Sequence, residues 1–225
     1  MCDATGKIAI TRRSTERMEF DVGAPAKCVA RHGDRRVAVG LACGRVAIVD
    51  VSNAQPEASW RVGSAPLTSG DAVESIDVDG FVMCCGLLSG LVSVLDVRCG
   101  RPAGSFAPMD GPIEAVKSVG EYRLVSACRR NVRVWDIRAG RRGVLESYTC
   151  RDDVSGIFTL SSKVLVSVGP RLAILKEGEF EGGKPFKLRG PTGKKEHADI
   201  VGVFPMMASA LAAVGYETGD VLFCN

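Results

Sequence analysis

A hairpin pattern is repeated along this chain, and residues 122–138, YRLVSACRRNVRVWDIR, show it most clearly. Two apolar runs at 124–127 and 132–135 flank a basic turn. Short β-branched or aromatic runs at this spacing predict two antiparallel strands. Related patterns occur at 37–51, 81–97, 163–176 and 211–225, with a half copy at 6–12. The chain is therefore expected to be all-β and internally repeated.

The repeats follow one another at intervals of about forty residues. Positions equivalent to Asp136 are separated by 38, 46, 40, 40 and 49 residues, and they hold Arg12, Asp50, Asp96, Asp136, Lys176 and Asn225. A period near forty with four short strands per unit is typical of β-propeller blades. The chain resembles the WD-repeat propellers over nearly all of its length, and Trp135-Asp136 is the one Trp-Asp pair in six copies.

The resemblance implies one WD-repeat β-propeller domain over residues 1–225, with about five full four-stranded blades and partial blades at the termini. The predicted units are two strands within 6–22, blades two to five at 26–62, 72–106, 113–148 and 154–188, and three strands within 200–224. Because an open ring leaves unpaired strand edges, strand 17–22 is one candidate to complete the last blade and close a six-bladed ring. The alternative is an open, shortened relative of a seven-bladed propeller.

Composition narrows the functional classes. Hydrophobic residues make up 46% and charged residues 24% of the chain, which predicts a packed core. The net charge of +3 is too small to indicate nucleic-acid binding by itself. Nine cysteines without CxxC spacing favour small buried thiols in a reducing compartment over disulfides or zinc. With no leader pattern and no long apolar stretch, we expect an intracellular protein without a membrane attachment.

The sequence contains no arrangement typical of an enzyme. The patterns GxSxG, HExxH and GxGxxG do not occur. Residues 190–195 resemble a phosphate loop only superficially, because Leu188 replaces its first glycine and Lys195 replaces its Ser or Thr. Asp152 and Asp153 precede a predicted strand, which favours a turn over an acid–base pair or a metal site. We expect a non-enzyme with no catalytic residue, cofactor or metal.

Pairs of basic residues are the feature that points to binding. They lie in predicted turns or connections, at Arg12-Arg13, Arg35-Arg36, Arg129-Arg130, Arg141-Arg142 and Lys194-Lys195. Because the turns of a propeller gather on two faces, several pairs are expected to form a positive patch. Guanidinium groups in such a patch bind acidic or phosphorylated peptides in a bidentate way. The alternative is that these side chains only make the loops soluble.

A closer resemblance is to the mitotic checkpoint propellers that bind Bub kinases, and to their nucleoporin-binding relative in messenger-RNA export. The similar segments are LDVR at 95–98, AGSF at 103–106, SVG at 118–120, RL at 123–124, RR at 129–130, VWDIR at 134–138, RLAI at 171–174 and PFK at 185–187. The resemblance implies a nuclear and cytoplasmic scaffold that docks a short motif of a partner kinase or kinetochore component. It also implies a phosphopeptide site, with Arg151 and Lys184 near the matching positions and Asp153 where the family has an arginine.

Two other functions stay open. A propeller in ribosome assembly or messenger-RNA export would contact RNA or an assembly partner through Arg-rich loops. A ubiquitin-ligase substrate adaptor is suggested by Arg98 and Arg138, since such adaptors often have Arg two residues after the Asp. The candidate partner-binding residues are Arg129, Arg130, Arg151 and Lys184.

Overall fold

The computed structural model describes residues 7–12, 16–53, 55–62, 71–106, 108–160, 163–169, 171–175, 186–187, 200–205, 212–216 and 221–224. This part of the chain contains 21 strands and one 3₁₀ helix, Ile137–Arg142. Its antiparallel sheets follow one another along the chain, and strand order within each sheet follows sequence order. Such local pairing is what the hairpin pattern predicts.

In the described part of the chain, four sheets have four strands each. Blade two contains β3 (Ala26–His32), β4 (Arg36–Leu41), β5 (Arg45–Asp50) and β6 (Gln55–Arg61). Blade three contains β7 (Val73–Asp79), β8 (Val82–Leu87), β9 (Val92–Asp96) and β10 (Arg101–Phe106). Blade four contains β11 (Ala115–Val119), β12 (Arg123–Cys128), β13 (Asn131–Asp136) and β14 (Val144–Thr149). Blade five contains β15 (Val154–Leu160), β16 (Lys163–Val168), β17 (Arg171–Leu175) and β18 (Phe186–Lys187).

Smaller sheets lie towards the two ends of the chain. One is the hairpin of β1 (Lys7–Arg12) and β2 (Glu16–Asp21), and the other contains β19 (Ile200–Pro205), β20 (Ala212–Tyr216) and β21 (Val221–Cys224). Among the described strands, β2 pairs with β1 alone and β21 with β20 alone. The strand within 17–22 therefore does not complete the last blade in the part of the chain that is described. The predicted all-β propeller of four-stranded blades is confirmed.

The order of the strands sorts the turns onto two faces. The first strand of each blade contacts the first strand of the next, from β3 through β7, β11 and β15 to β19. Successive antiparallel strands place their turns at alternate ends of each sheet. We call upper the face with the turns between second and third strands and the connections between blades. The lower face has the turns between first and second and between third and fourth strands.

Apolar side chains fill the spaces between neighbouring blades. In β13, Trp135 is fully buried and its ring centroid lies 4.9 Å from that of Phe106 in blade three. On the opposite side of the same strand, Val132 and Val134 belong to one buried cluster with Val166 of blade five. The alternation of side chains along a strand thus supplies both interblade cores.

Hydrogen bonds join one blade to the next near the start of the first strands. Ser75 Oγ donates to Ile113 O at 2.7 Å, and Ser155 Oγ donates to Ile200 O at 2.6 Å. The Cys28 thiol occupies the position of Ser75 in blade two and lies 3.4 Å from Val73 O. At each of these junctions a side chain of one blade therefore contacts a backbone carbonyl near the start of the next blade.

Candidate functional site

A cavity of about 620 Å³ opens on the upper face between blades four and five. We call it the upper cavity. Its lining comes from the connection before β11, the turn between β12 and β13, and the connection after β14. The charged and polar residues that matter are Asp110, Glu114, Arg129, Arg130, Thr149 and Asp153.

Arg129 holds an unusual backbone conformation at this cavity. Its φ of 49° lies in the left-handed region, and it is the one non-glycine residue with positive φ in the described part of the chain. In blade five the equivalent position between β16 and β17 is Gly169, with φ of 52°. A side chain in this region costs on the order of 1 kcal/mol or more, and such strain is typical of functional sites.

Hydrogen bonds from neighbouring segments hold the turn in place. The backbone N–H of Val154 donates to Arg129 O at 2.8 Å, and that of Cys150 donates to Arg130 O at 2.6 Å. The carboxylate of Glu114 accepts a bond from the Arg129 backbone N–H. Burial raises the pKa of Glu114, and this hydrogen bond partly opposes the rise. The turn is therefore fixed from both adjoining connections.

The charges around the upper cavity are of both signs. Arg130 Nε lies 3.3 Å from Asp153 Oδ1, and both side chains are mostly exposed. Arg129 forms no ion pair with any described residue. Its guanidinium lies beside Gly111, in the connection before β11. Three carboxylates and two guanidinium groups line this space. It is a mixed-charge cavity, in which the predicted arginines Arg129 and Arg130 lie among carboxylates.

The predicted contact residues are partly brought together. Arg151 is exposed on the connection between β14 and β15. It adjoins Cys150, whose backbone N–H donates to Arg130 O. Arg129, Arg130 and Arg151 therefore share the upper face. Lys184 lies outside the described residues.

Two other basic pairs within the described residues lie on the opposite face. Arg35 and Arg36 lie at the turn between β3 and β4 on the lower face, where Arg36 Nε is 2.7 Å from Glu57 Oε2. Arg141 and Arg142 belong to the 3₁₀ helix between β13 and β14, also on the lower face. Arg13, Lys194 and Lys195 are outside the described residues. The described basic pairs divide between two faces because successive turns of a blade lie at alternate ends of its sheet.

A repeated unit on the lower face links an aspartate, an arginine and an aromatic ring. In blade four, Asp136 accepts bonds from the Arg138 backbone N–H at 2.9 Å and from its Nε at 3.0 Å, and the guanidinium lies 4.4 Å from the Tyr122 ring centroid. Blade three repeats the arrangement with Asp96, Arg98 and Phe81, at 4.8 Å from the ring. Hydrogen bonds from the arginine lower the pKa of Asp136 and of Asp96 to about 2.

A smaller cavity of about 210 Å³ lies on the lower face between blades three and four. We call it the lower pocket. It is lined by Asp79 and Val82 beside the β7–β8 turn, Glu121 and Arg123 beside the β11–β12 turn, and Ile137 and Cys84. Sequence reasoning missed both this pocket and the aromatic partners of Arg98 and Arg138. The available signal was the aromatic residue in each of the two turns, Phe81 and Tyr122.

The thiols and acidic groups show no assembled metal centre within the described residues. No group of three or more His, Cys, Asp or Glu side chains there is placed to hold a metal ion, and no helix among them is long and apolar enough to cross a membrane. Cys84, Cys85 and Cys128 are buried free thiols, as predicted. Cys43 and Cys99 are exposed, because they lie in turns and not in strands, so the prediction of buried thiols is wrong for these two.

Comparisons with known proteins identify the fold and not a family. No protein-family model matches the sequence, and no curated protein matches it significantly. Among solved structures, 1583 chains match, so this fold is widely shared. One comes from a structure described as "Crystal Structure of Mitotic Checkpoint Complex", with a TM-score of 0.76 and 12% sequence identity over 98% of this chain and 68% of that chain. At this identity the likeness shows a common propeller architecture alone.

Proposed function

We propose that this protein is a non-enzymatic interaction scaffold that docks a short motif of a partner protein in the upper cavity. The observation that carries the proposal is the positive φ of Arg129 where the equivalent turn of blade five has Gly169. A non-glycine residue at a strained position indicates that its side chain has a function that glycine could not perform. Arg129, Arg130 and Arg151 are the proposed contacts, and Lys184 is a further candidate.

The chemistry of the cavity suits a peptide. Guanidinium and carboxylate groups offer donors and acceptors around a space of about 620 Å³, which holds a few side chains of a bound segment. Arg129 has no ion-pair partner among the described residues, so its donors are available to a carboxylate, a phosphate or a backbone carbonyl of that segment.

The proposed partner is a kinase or kinetochore component of the mitotic checkpoint, in the nucleus and cytoplasm. Two observations support this choice. The segments around 95–138 resemble the checkpoint propellers, and a chain from a mitotic checkpoint complex has the same fold over 98% of this one.

Affinity purification of the tagged protein from its own cells, read by mass spectrometry, tests the proposal. We expect Arg129→Gly to abolish recovery of the main partner, while Arg35→Ala, an exposed turn arginine on the opposite face, leaves it unchanged. Undiminished recovery with Arg129→Gly would show that the upper cavity is not the docking site. Recovery of ribosomal precursors or nucleoporins without a Bub-type kinase or kinetochore scaffold would instead favour a role in ribosome assembly or messenger-RNA export.

The same experiment separates the remaining alternatives. RNA that co-purifies at low salt and is lost at high salt would favour an RNA-handling role, because phosphate contacts are strongly salt-dependent. Recovery of a ubiquitin ligase that depends on Arg138 would favour the substrate adaptor.

A further inference from the structure

We propose that the lower pocket is a second docking site, which receives a Lys or Arg side chain of another protein partner. This inference concerns the face opposite the upper cavity and goes beyond the proposed function. It makes the protein a scaffold with two independent surfaces.

The shape and chemistry of the lower pocket fit a long cationic side chain. Its apolar part is formed by Val82, Ile137 and the buried Cys84, and its rim carries the exposed carboxylates of Asp79 and Glu121. Lysine and arginine lay their methylene stem on apolar surface and keep the charged head at a polar rim. A volume of about 210 Å³ is below the roughly 300 Å³ at which small-molecule sites begin, so it suits one side chain of a larger partner.

The other charges around the pocket leave its rim acidic. Arg123 also lines the pocket, so the two carboxylates of Asp79 and Glu121 outnumber one guanidinium there. The Tyr122 hydroxyl donates to Glu121 Oε1 at 2.7 Å, which leaves other lone pairs of that carboxylate for a ligand. The charge of Arg138 is held at short range by Asp136, as that of Arg98 is by Asp96. A cation is therefore the complementary charge for this rim.

Two exposed aromatic rings flank the lower pocket. Phe81 is 62% exposed and follows Asp79 by two residues, while Tyr122 is 40% exposed and adjoins Glu121. Each ring is held in place by a stacked guanidinium. Aromatic and arginine side chains that are already ordered lose little conformational entropy on binding and are enriched at the energetic centres of interfaces.

Blade two shows that the fold does not require these aromatic units. In all three blades a backbone N–H of the third-to-fourth turn donates to a carbonyl of the first turn: Val51 to Arg35, Val97 to Phe81 and Ile137 to Tyr122. Blade two therefore makes the same turn with Arg35 in place of an aromatic ring and Ser52 in place of the arginine. The turn therefore does not need the aromatic rings of blades three and four, and these rings are available to contact a partner.

Selection of a displayed library of random short peptides on the immobilised full-length protein tests this site. We expect peptides with Lys or Arg to be enriched, and the double variant Asp79→Asn/Glu121→Gln to lower their recovery about tenfold, as for loss of a close charge pair. Phe81→Ala should lower recovery in the same direction. Thermal denaturation of each variant, compared with the wild type, confirms that it is folded.

The outcome is separable from that of the upper cavity. Arg129→Gly should leave the selection of basic peptides unchanged, since it alters only the other face. Enrichment of acidic or neutral peptides, equal recovery on the double variant, or no enrichment at all would each overturn the inference. None of these results bears on whether an Arg129-dependent partner is recovered from cells.

Discussion

Asp77 in blade three and Lys117 in blade four form an ion pair that joins the two innermost strands. Lys117 Nζ lies 2.5 Å from Asp77 Oδ1, and the Ser118 backbone N–H donates to Asp77 Oδ2 at 2.9 Å. The Asp77 side chain is 10% exposed and that of Lys117 is 30% exposed. One buried carboxylate therefore satisfies two donors of the neighbouring blade.

Removal of this carboxylate should be strongly destabilising. We expect Asp77→Ala to lower the free energy of unfolding by about 3 kcal/mol, because Lys117 loses its partner in a largely buried position and the Ser118 N–H loses its acceptor. Urea denaturation measures the change. Asp34→Ala is the control, since the Arg31–Asp34 pair has side chains 73% and 93% exposed and should change stability by less than about 1 kcal/mol. Equal losses in both variants would contradict the interpretation.

Arg129→Gly should stabilise the protein while it weakens partner binding. Glycine adopts positive φ without steric cost, so we expect a gain of about 1 kcal/mol in the free energy of unfolding, or about 2–4 °C in Tm for a chain of this size. Arg129→Ala is the matched control, because it removes the guanidinium but keeps the Cβ and should bring no such gain. A lower Tm for Arg129→Gly would show that the arginine side chain stabilises the turn.

The Asp136–Arg138 pair should remain charged to low pH. The arginine lowers the pKa of Asp136 to about 2, below its value in an unfolded chain. A depressed folded-state pKa contributes stability that is fully present above the unfolded pKa, near pH 4, and is lost as pH falls towards 2. Carboxyl NMR titration should give a midpoint near pH 2 in the wild type and a higher one in Arg138→Ala. An unchanged midpoint in the variant would refute the assignment.

The strands could be predicted from the sequence because their pairing is local. The predicted run 132–135 lies within β13, Asn131–Asp136, and the basic turn before it joins two adjacent strands. Alternation also placed Trp135 and Val134 on opposite sides of the strand, as the two interblade cores show. Period and alternation suffice here, since each hairpin carries its own pairing information.

The candidate sites could be predicted only in part, because their surroundings come from distant segments. The sequence shows Arg129-Arg130 as a basic pair, but Glu114 and Asp153 reach it from two other connections. It likewise shows Arg138 after Asp136 but not the Tyr122 ring beneath the guanidinium. Counter-ions and stacking partners depend on which turns lie close together in the folded chain. They come from segments distant in sequence, so no local sequence pattern predicts them.

Ser126 and Trp135 provide a test of the buried core of blade four. Both residues are fully buried, and Trp135 Nε1 donates to Ser126 Oγ at 2.8 Å. We expect Ser126→Ala to lower the free energy of unfolding by about 1–3 kcal/mol, because the indole N–H is left without an acceptor away from water. Ser59→Ala is the control, since Ser59 is exposed and accepts a bond from Arg45 at 3.1 Å. A neutral Ser126→Ala would mean that another acceptor replaces the hydroxyl.

Native thiol reactivity should follow exposure within the described residues. Cys43 and Cys99 are exposed, whereas Cys84 is buried and burial raises its pKa to about 12. The thiolate is the reactive form, so the raised pKa slows the reaction of Cys84 at pH 8, and burial also keeps the reagent away from the sulfur until the structure opens locally. We expect iodoacetamide to modify Cys43 and Cys99 rapidly in the folded protein, and Cys84 only in urea, as read by peptide mass spectrometry. Rapid native labelling of Cys84 would show that blades three and four separate readily, which would also undermine a lower pocket built across their junction.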